Sequence, residues 1–208
     1  MNMNRKLFLL VCLAAWVLPG QAQNTVESIR QRYADAKAYI ERHTGDDNND
    51  GSDWAEYYHM EARHFLPGTG GHKEDVYMYF DEKEVDAIYP PHYLTFATSK
   101  YNYAAREYYD EYLYDSDGKP AFIYVYMPME EFEGHPDSME YELRFYLSRG
   151  KLIKMIAKNR ANDKLPFTEV YAGKTLKEAY KNVFAQYMAK AEAILKMFKA
   201  IENEAYNN

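Results

Sequence analysis

The sequence predicts an α+β fold: an antiparallel sheet of about six or seven strands packed against an N-terminal helix and a long C-terminal helix, in two layers. Three observations carry this expectation. Between Tyr101 and Ala157, four apolar, tyrosine-rich segments follow one another, separated by turn-forming residues and one proline-bounded loop. Near the N-terminus Val26, Ile29, Tyr33, Ala36 and Ile40 recur three and four residues apart, which places them on one helical stripe. Near the C-terminus Tyr180, Phe184, Tyr187, Ala191, Ile194, Phe198 and Ile201 do the same over a much longer run.

The first 22 residues have the three parts of a secretory signal peptide. Arg5 and Lys6 precede an apolar run from Leu7 to Leu18, and Gly20 and Ala22 fit the small-residue positions before a cleavage site. The run is shorter than the roughly 20 residues needed to cross a hydrocarbon core. The expected mature chain, residues 23–208, is one α+β domain, secreted or periplasmic and not inserted in a membrane. Its bacterial character is read from the same features. Cys12, preceded by Val11, lacks the small neighbour of a lipoprotein signal, and its removal leaves a chain with no disulfide, no thiolate nucleophile and no cysteine metal ligand. Cleavage lowers Lys+Arg from 25 to 23 against 32 Asp+Glu, for a net charge of −9. That balance disfavours nucleic acid as a partner, because such binding requires clustered positive charge.

In chain order, Asn24 with Glu27 fits a capping box for the first helix, which should end near Gly45. Asp46, Asn48 and Asp50 with Gly51 then match the opening of a calcium loop, but Tyr57 stands where a bidentate Glu is needed. A solvated acidic turn is the simpler reading, with a weak calcium site as the alternative. Period-two alternation from Tyr57 to Phe65 indicates a strand, Pro67 to Gly71 a hairpin loop, and Asp75 to Phe80 and His92 to Ser99 two further strands. The meander proper spans about Ala104–Tyr114, Pro120–Met127, Met139–Ser148 and Leu152–Lys158. Asn159 to Gly173 reads as a loop, and Thr175 with Glu178 as a second capping box opening a helix to about Asn203. That helix is expected to lie across the sheet beside the first one, and a homodimer through it is the alternative to a monomer.

Two turns, Asp115-Ser116-Asp117-Gly118-Lys119 and Leu147-Ser148-Arg149-Gly150-Lys151, each place Gly where a left-handed residue would follow a type I turn. The resulting register pairs Leu147 with Lys151 and Leu113 with Ala121. It sends Tyr141 to the core and Tyr146 away from it. It also gathers Tyr108, Tyr112, Phe122, Tyr124 and Tyr126 into one strip, the main functional lead, with Arg144 available for charge-assisted bonds.

No catalytic constellation stands out. The six histidines form no zinc-protease motif, a Gly-x-Ser-x-Gly elbow is lacking, and Glu130, Glu131 and Glu133 lie in a proline- and glycine-bounded loop. No cofactor is implied. The run from Glu111 through Asp115-Ser116-Asp117-Gly118-Lys119 to Tyr124, followed by Tyr141–Tyr146 and Lys151–Lys154, resembles uncharacterised secreted proteins of Gram-negative bacteria built on similar Tyr/Asp/Gly hairpins. The resemblance implies compartment and strands and brings no catalytic residue. The expected function is a secreted or periplasmic, non-enzymatic binding protein for a small molecule, glycan or protein, using the tyrosine face. The alternative is an extracytoplasmic hydrolase of glycan or peptide with a carboxylate pair.

Overall fold

A computed structural model describes residues 24–43, 55–86, 88, 90–130 and 138–206. The expected signal peptide and the calcium-loop candidates Asp46, Asn48 and Asp50 lie outside the described residues. The fold is α+β, as expected. Helix α1 (Val26–His43) precedes strands β1 (Tyr57–Leu66), β2 (Gly70–Glu82), β3 (His92–Tyr103), β4 (Arg106–Tyr114), β5 (Pro120–Glu130), β6 (Met139–Ser148), β7 (Lys151–Arg160) and β8 (Thr168–Gly173). A short 3₁₀ turn, Glu178–Tyr180, leads into helix α2 (Lys181–Tyr206). All eight strands join in sequence order into one antiparallel meander. The count exceeds six or seven because β8 forms where a loop was expected. Its burial shows no alternation, so it carries no period-two signal.

The two helices cover opposite faces of the sheet, which makes three layers where two were expected. Tyr180 of the 3₁₀ turn and Val183, Tyr187, Ala191, Ile194 and Phe198 of α2 pack on Met78, Tyr112, Ile123, Val125, Leu143, Phe145 and Met155. Ile29 of α1, flanked by Val26, Tyr33, Ala36 and Ile40, packs on Phe96, Leu113, Phe122, Tyr146 and Ile156. Both faces of the central strands are apolar enough to hold a helix, and that is why pattern alone did not assign a core side. At 1.5 Å per residue, the 26 residues of α2 reach about 39 Å and the 18 of α1 about 27 Å. The longer helix seals its face from Val76 to Asn159, whereas α1 covers only part of the other. The α2 stripe is occupied by the sheet.

Neither expected capping box forms. Thr25 caps α1, its Oγ1 accepting from the Ser28 N–H at 3.1 Å while Ser28 Oγ accepts from the Thr25 N–H at 3.0 Å. Asn24 instead donates its side-chain amide to both oxygens of Asp115, at 3.0 and 2.8 Å. Lys177, with no side-chain cap bond, precedes the 3₁₀ turn, and Thr175 bonds Tyr171.

Two register shifts correct the hairpin assignments. In the β4–β5 hairpin Gly118 has φ +82°, as the turn requires, and the Gly118 N–H donates to the Asp115 carbonyl at 2.7 Å. Tyr114 then faces Pro120, but Leu113 faces Phe122, so Ala121 is the extra residue of a bulge. Pro120 has no N–H for the ladder, and bulges are among the places where a sheet accepts proline. The β6–β7 hairpin uses a two-residue turn, Arg149 (φ +52°) and Gly150 (φ +76°), with Ser148 facing Lys151. This primed turn follows the strand twist. A bulge at Ile153 then pairs Phe145 with Met155, where the expected register paired it with Ile153, and turns Ile153 toward α1.

Candidate functional site

The one-residue shift at Ala121 divides the expected strip between the two faces. Tyr108 and Tyr112 lie on the α2 side and belong to the core. Tyr112 is 0 % exposed and donates to Asp110 Oδ2 at 2.6 Å. Tyr108 stacks on Tyr101 with ring centroids 5.1 Å apart and donates to Glu130 at 2.7 Å. Phe122, Tyr124, Tyr126 and Arg144 occupy the α1 side. Tyr141 points to the α2 core as expected, and Tyr146 points away from it but is buried beneath α1.

On the α1 side, the helix covers one end of the strands and leaves the other end in contact with solvent. There Tyr57, Tyr77, Tyr109, Tyr124 and Tyr126 are half-buried or exposed, interleaved with charged groups. The charges are ordered by the tyrosines. Tyr124 donates to Glu142 Oε1 at 3.2 Å, and Arg144 donates to Glu142 Oε2 at 3.1 Å. Tyr126 donates to Glu140 Oε2 at 3.0 Å, and Arg160 reaches the same oxygen at 2.7 Å. The Arg144 guanidinium lies 5.8 Å from the Tyr124 ring centroid, within cation–π range. Burial, and then the nearby Glu142 charge, push the Tyr124 hydroxyl well above its ordinary value, so it remains a neutral donor.

Glu111 joins this surface to α1. It is only 2 % exposed and collects three donors: Tyr33, Lys37 Nζ at 2.6 Å and Tyr109 at 2.7 Å. Its neighbours toward the helix enclose a cavity of about 290 Å³ lined by Arg30, Tyr33, Phe122, Arg144 and Tyr146. Tyr33 meets Phe122 edge to face at 4.9 Å, and Phe122 meets Tyr146 at the same centroid distance. This is an aromatic floor with two guanidiniums at its rim.

A second polar cluster lies on the other face, under α2. Lys190 Nζ sits 2.9 Å from Glu74, 3.1 Å from Asp110 Oδ2 and 2.7 Å from Ser99 Oγ, and 4.1 Å from the Tyr101 ring centroid. Asp110 is 0 % exposed, and its Oδ1 has no partner among the described residues. Burial pushes the Asp110 carboxyl up to about 6, against the pull of Lys190 and Tyr112. Burial also acts upward on Glu74, but Lys190 and Ser99 together hold it below the usual carboxylate range. A carboxyl raised to about 6 suits general acid chemistry, but Asp110 is enclosed by the sheet and α2. Asp110, Glu111, Lys37 and Lys190 were not singled out from sequence. The available signal was an Asp-Glu pair at the centre of an otherwise aromatic strand, where any charge facing a core needs a partner.

Two further cavities lie at the turn end of the sheet. One, of about 580 Å³, includes Asn24, Arg32, Asp115 and Ser148, with Arg32 bonding Asp115 at 2.7 Å and the Tyr114 carbonyl at 2.7 Å. The other, of about 670 Å³, lies beside His92 and Glu202, which are 3.1 Å apart. Among the described residues, no group of three or more His, Cys, Asp or Glu is placed to hold a metal ion. No described helix is long and apolar enough to cross a membrane. Comparison with protein-family models, curated proteins and solved structures finds no match for this chain.

Proposed function

We propose that this chain acts outside the cytoplasm as a non-enzymatic binding protein whose ligand-contacting surface is the half of the sheet beside α1. The observation that carries this reading is the contrast between the two faces. Helix α2 seals one, while α1 leaves on the other an ordered, half-exposed row of tyrosines with charged partners already oriented. Such rings supply a flat apolar body and a hydroxyl at low entropic cost, which suits glycan, peptide or small-molecule recognition. Export is supported by the arrangement of residues 1–22.

Tyr124 and Tyr126 are the residues to test. Replacing both by Ser removes two rings and two hydroxyl bonds from the open part of the face and leaves the α1 contacts of Phe122 and Tyr146 in place. In a screen of glycans and peptides, ligands retained by the parent protein should be lost by this variant with little change in its thermal midpoint. Unchanged binding, or unfolding of the variant, would count against the reading. A hydrolase has less support, since the carboxyl with an acid-range pKa, Asp110, is sealed beneath α2.

A further inference from the structure

We propose that the cavity between α1 and strands β5–β6 takes a carboxylate carried on a single ring, an acidic sugar or an aromatic acid. The proposal rests on the binding reading of the same face and names the chemistry of its ligand. A volume of about 290 Å³ lies at the lower edge of the roughly 300–1,000 Å³ usual for ligand pockets, which suits one ring and not a chain of them.

The rim supplies the charge. Among the described residues Arg30 makes one hydrogen bond, from Nε to the Tyr146 hydroxyl at 3.3 Å, with its guanidinium 5.6 Å from that ring's centroid. Arg144 likewise makes one among the described residues, to Glu142 at 3.1 Å. A guanidinium has five N–H donors, so most of both forks remain for a ligand. Lys154, paired with Tyr146 across β6–β7, lies on the same face but outside the residues that line the cavity. The acids nearby are Glu142, held by Arg144 and Tyr124, Glu27, one turn before Arg30, and Glu111, saturated by Tyr33, Lys37 and Tyr109. On a chain of net charge −7, two guanidiniums converge on one aromatic hollow. Phe122 and Tyr146 are buried at its floor and offer ring contact, while the Arg forks match the planar, two-oxygen geometry of a carboxylate. Guanidiniums stay protonated, so capture should not depend on pH across the physiological range.

The test is a titration of the protein, followed by the ring signals of Tyr33, Phe122 and Tyr146 in NMR, with four probes. These are sodium benzoate and its neutral counterpart benzyl alcohol, and sodium glucuronate and its neutral counterpart methyl glucoside. At least one acid should shift those signals saturably and bind roughly tenfold or more tightly than its neutral counterpart. Which acid does so tells the aromatic source from the sugar source. Arg30→Gln and Arg144→Gln should each weaken the acid by roughly tenfold or more while thermal unfolding is unchanged, and Arg63→Gln, far along β1, should not. Equal affinity for acid and neutral probe, or acid binding untouched by both cavity substitutions, overturns the assignment and leaves the wider binding reading to its Tyr124/Tyr126 test. Unmoved ring signals with all four probes overturn the cavity as a site, again separately from that test.

Discussion

Asp110 and Glu111 are neighbours on β4 whose carboxylates point to opposite faces of the sheet, each held by a lysine from a different helix. Lys190 of α2 reaches Asp110 at 3.1 Å, and Lys37 of α1 reaches Glu111 at 2.6 Å. The pair marks how the two helices are positioned on the sheet, and the two carboxylates differ in how well they are satisfied. Among the described residues Glu111 has three donors, whereas Asp110 keeps one oxygen without a partner.

Removing Glu111 should cost far more than removing its lysine. Glu111→Ala leaves the Tyr33 and Tyr109 hydroxyls and the Lys37 ammonium without their shared acceptor, and should lower unfolding free energy by about 3 kcal/mol. Lys37→Met should cost about 1 kcal/mol or less, because its side chain is 44 % exposed and solvent screens the pair. Urea unfolding of the two variants measures the asymmetry. Equal costs would mean that the pair, and not the three-donor cluster, holds α1.

Asp110 should make the protein less stable as pH rises. Its folded pKa, about 6, lies above the ordinary 3.8. Its favourable contribution is therefore fully present below about pH 3.8 and is lost as pH rises through about 6. Asp110→Asn has no such titration. Relative to that variant, the parent should lose on the order of 3 kcal/mol between about pH 4 and pH 7. Unfolding both proteins across this window gives the difference directly, and a flat difference would contradict the burial argument. Glu74, held low by Lys190 and Ser99, works in the other direction, and it shares Lys190 with Asp110.

Two turn residues should respond with opposite sign. Ala104, at the β3–β4 turn, has φ +53°, where an L side chain is strained, so Ala104→Gly should stabilise by about 1 kcal/mol. Gly118→Ala should destabilise by more than about 1 kcal/mol. It adds a Cβ at φ +82°, 3.1 Å from Leu195 Cδ2 of α2. Thermal midpoints of the two variants on either side of the parent would bear this out.

Thr25, and not Asn24, should behave as the helix cap. Thr25→Ala should lower stability by about 1 kcal/mol and increase fraying of the first turn, read by amide exchange at Ser28. Asn24→Ala should leave that exchange unchanged and act instead through Asp115.

Most of the architecture was legible in the chain. The Val26–Ile40 and Tyr180–Ile201 spacings give two helices, and the turn chemistry around Gly118 and Gly150 gives two hairpins, because helix and strand periods and left-handed turn positions are local properties. Strand β8 was not legible, since a six-residue edge strand with no alternating burial looks like a loop. Of the six binding candidates, Phe122, Tyr124, Tyr126 and Arg144 share a face, and Tyr108 and Tyr112 do not. The cause is one residue, Ala121, bulged beside Pro120, which has no N–H for the ladder.

The sequence by itself determined the two helices, seven of the eight strands, their order and the antiparallel hairpins, because each follows from contacts within a few residues. Only the tertiary structure decided which face each helix covers, since both faces of the central strands are apolar and either would bury a stripe. It also decided which tyrosines became scaffold and which remained half-exposed. In a sheet of side-chain period two, a single bulged residue reverses every assignment beyond it. Arg30, Arg144, Phe122 and Tyr146, separated by as many as 116 positions, meet only because α1 folds back on the centre of the meander.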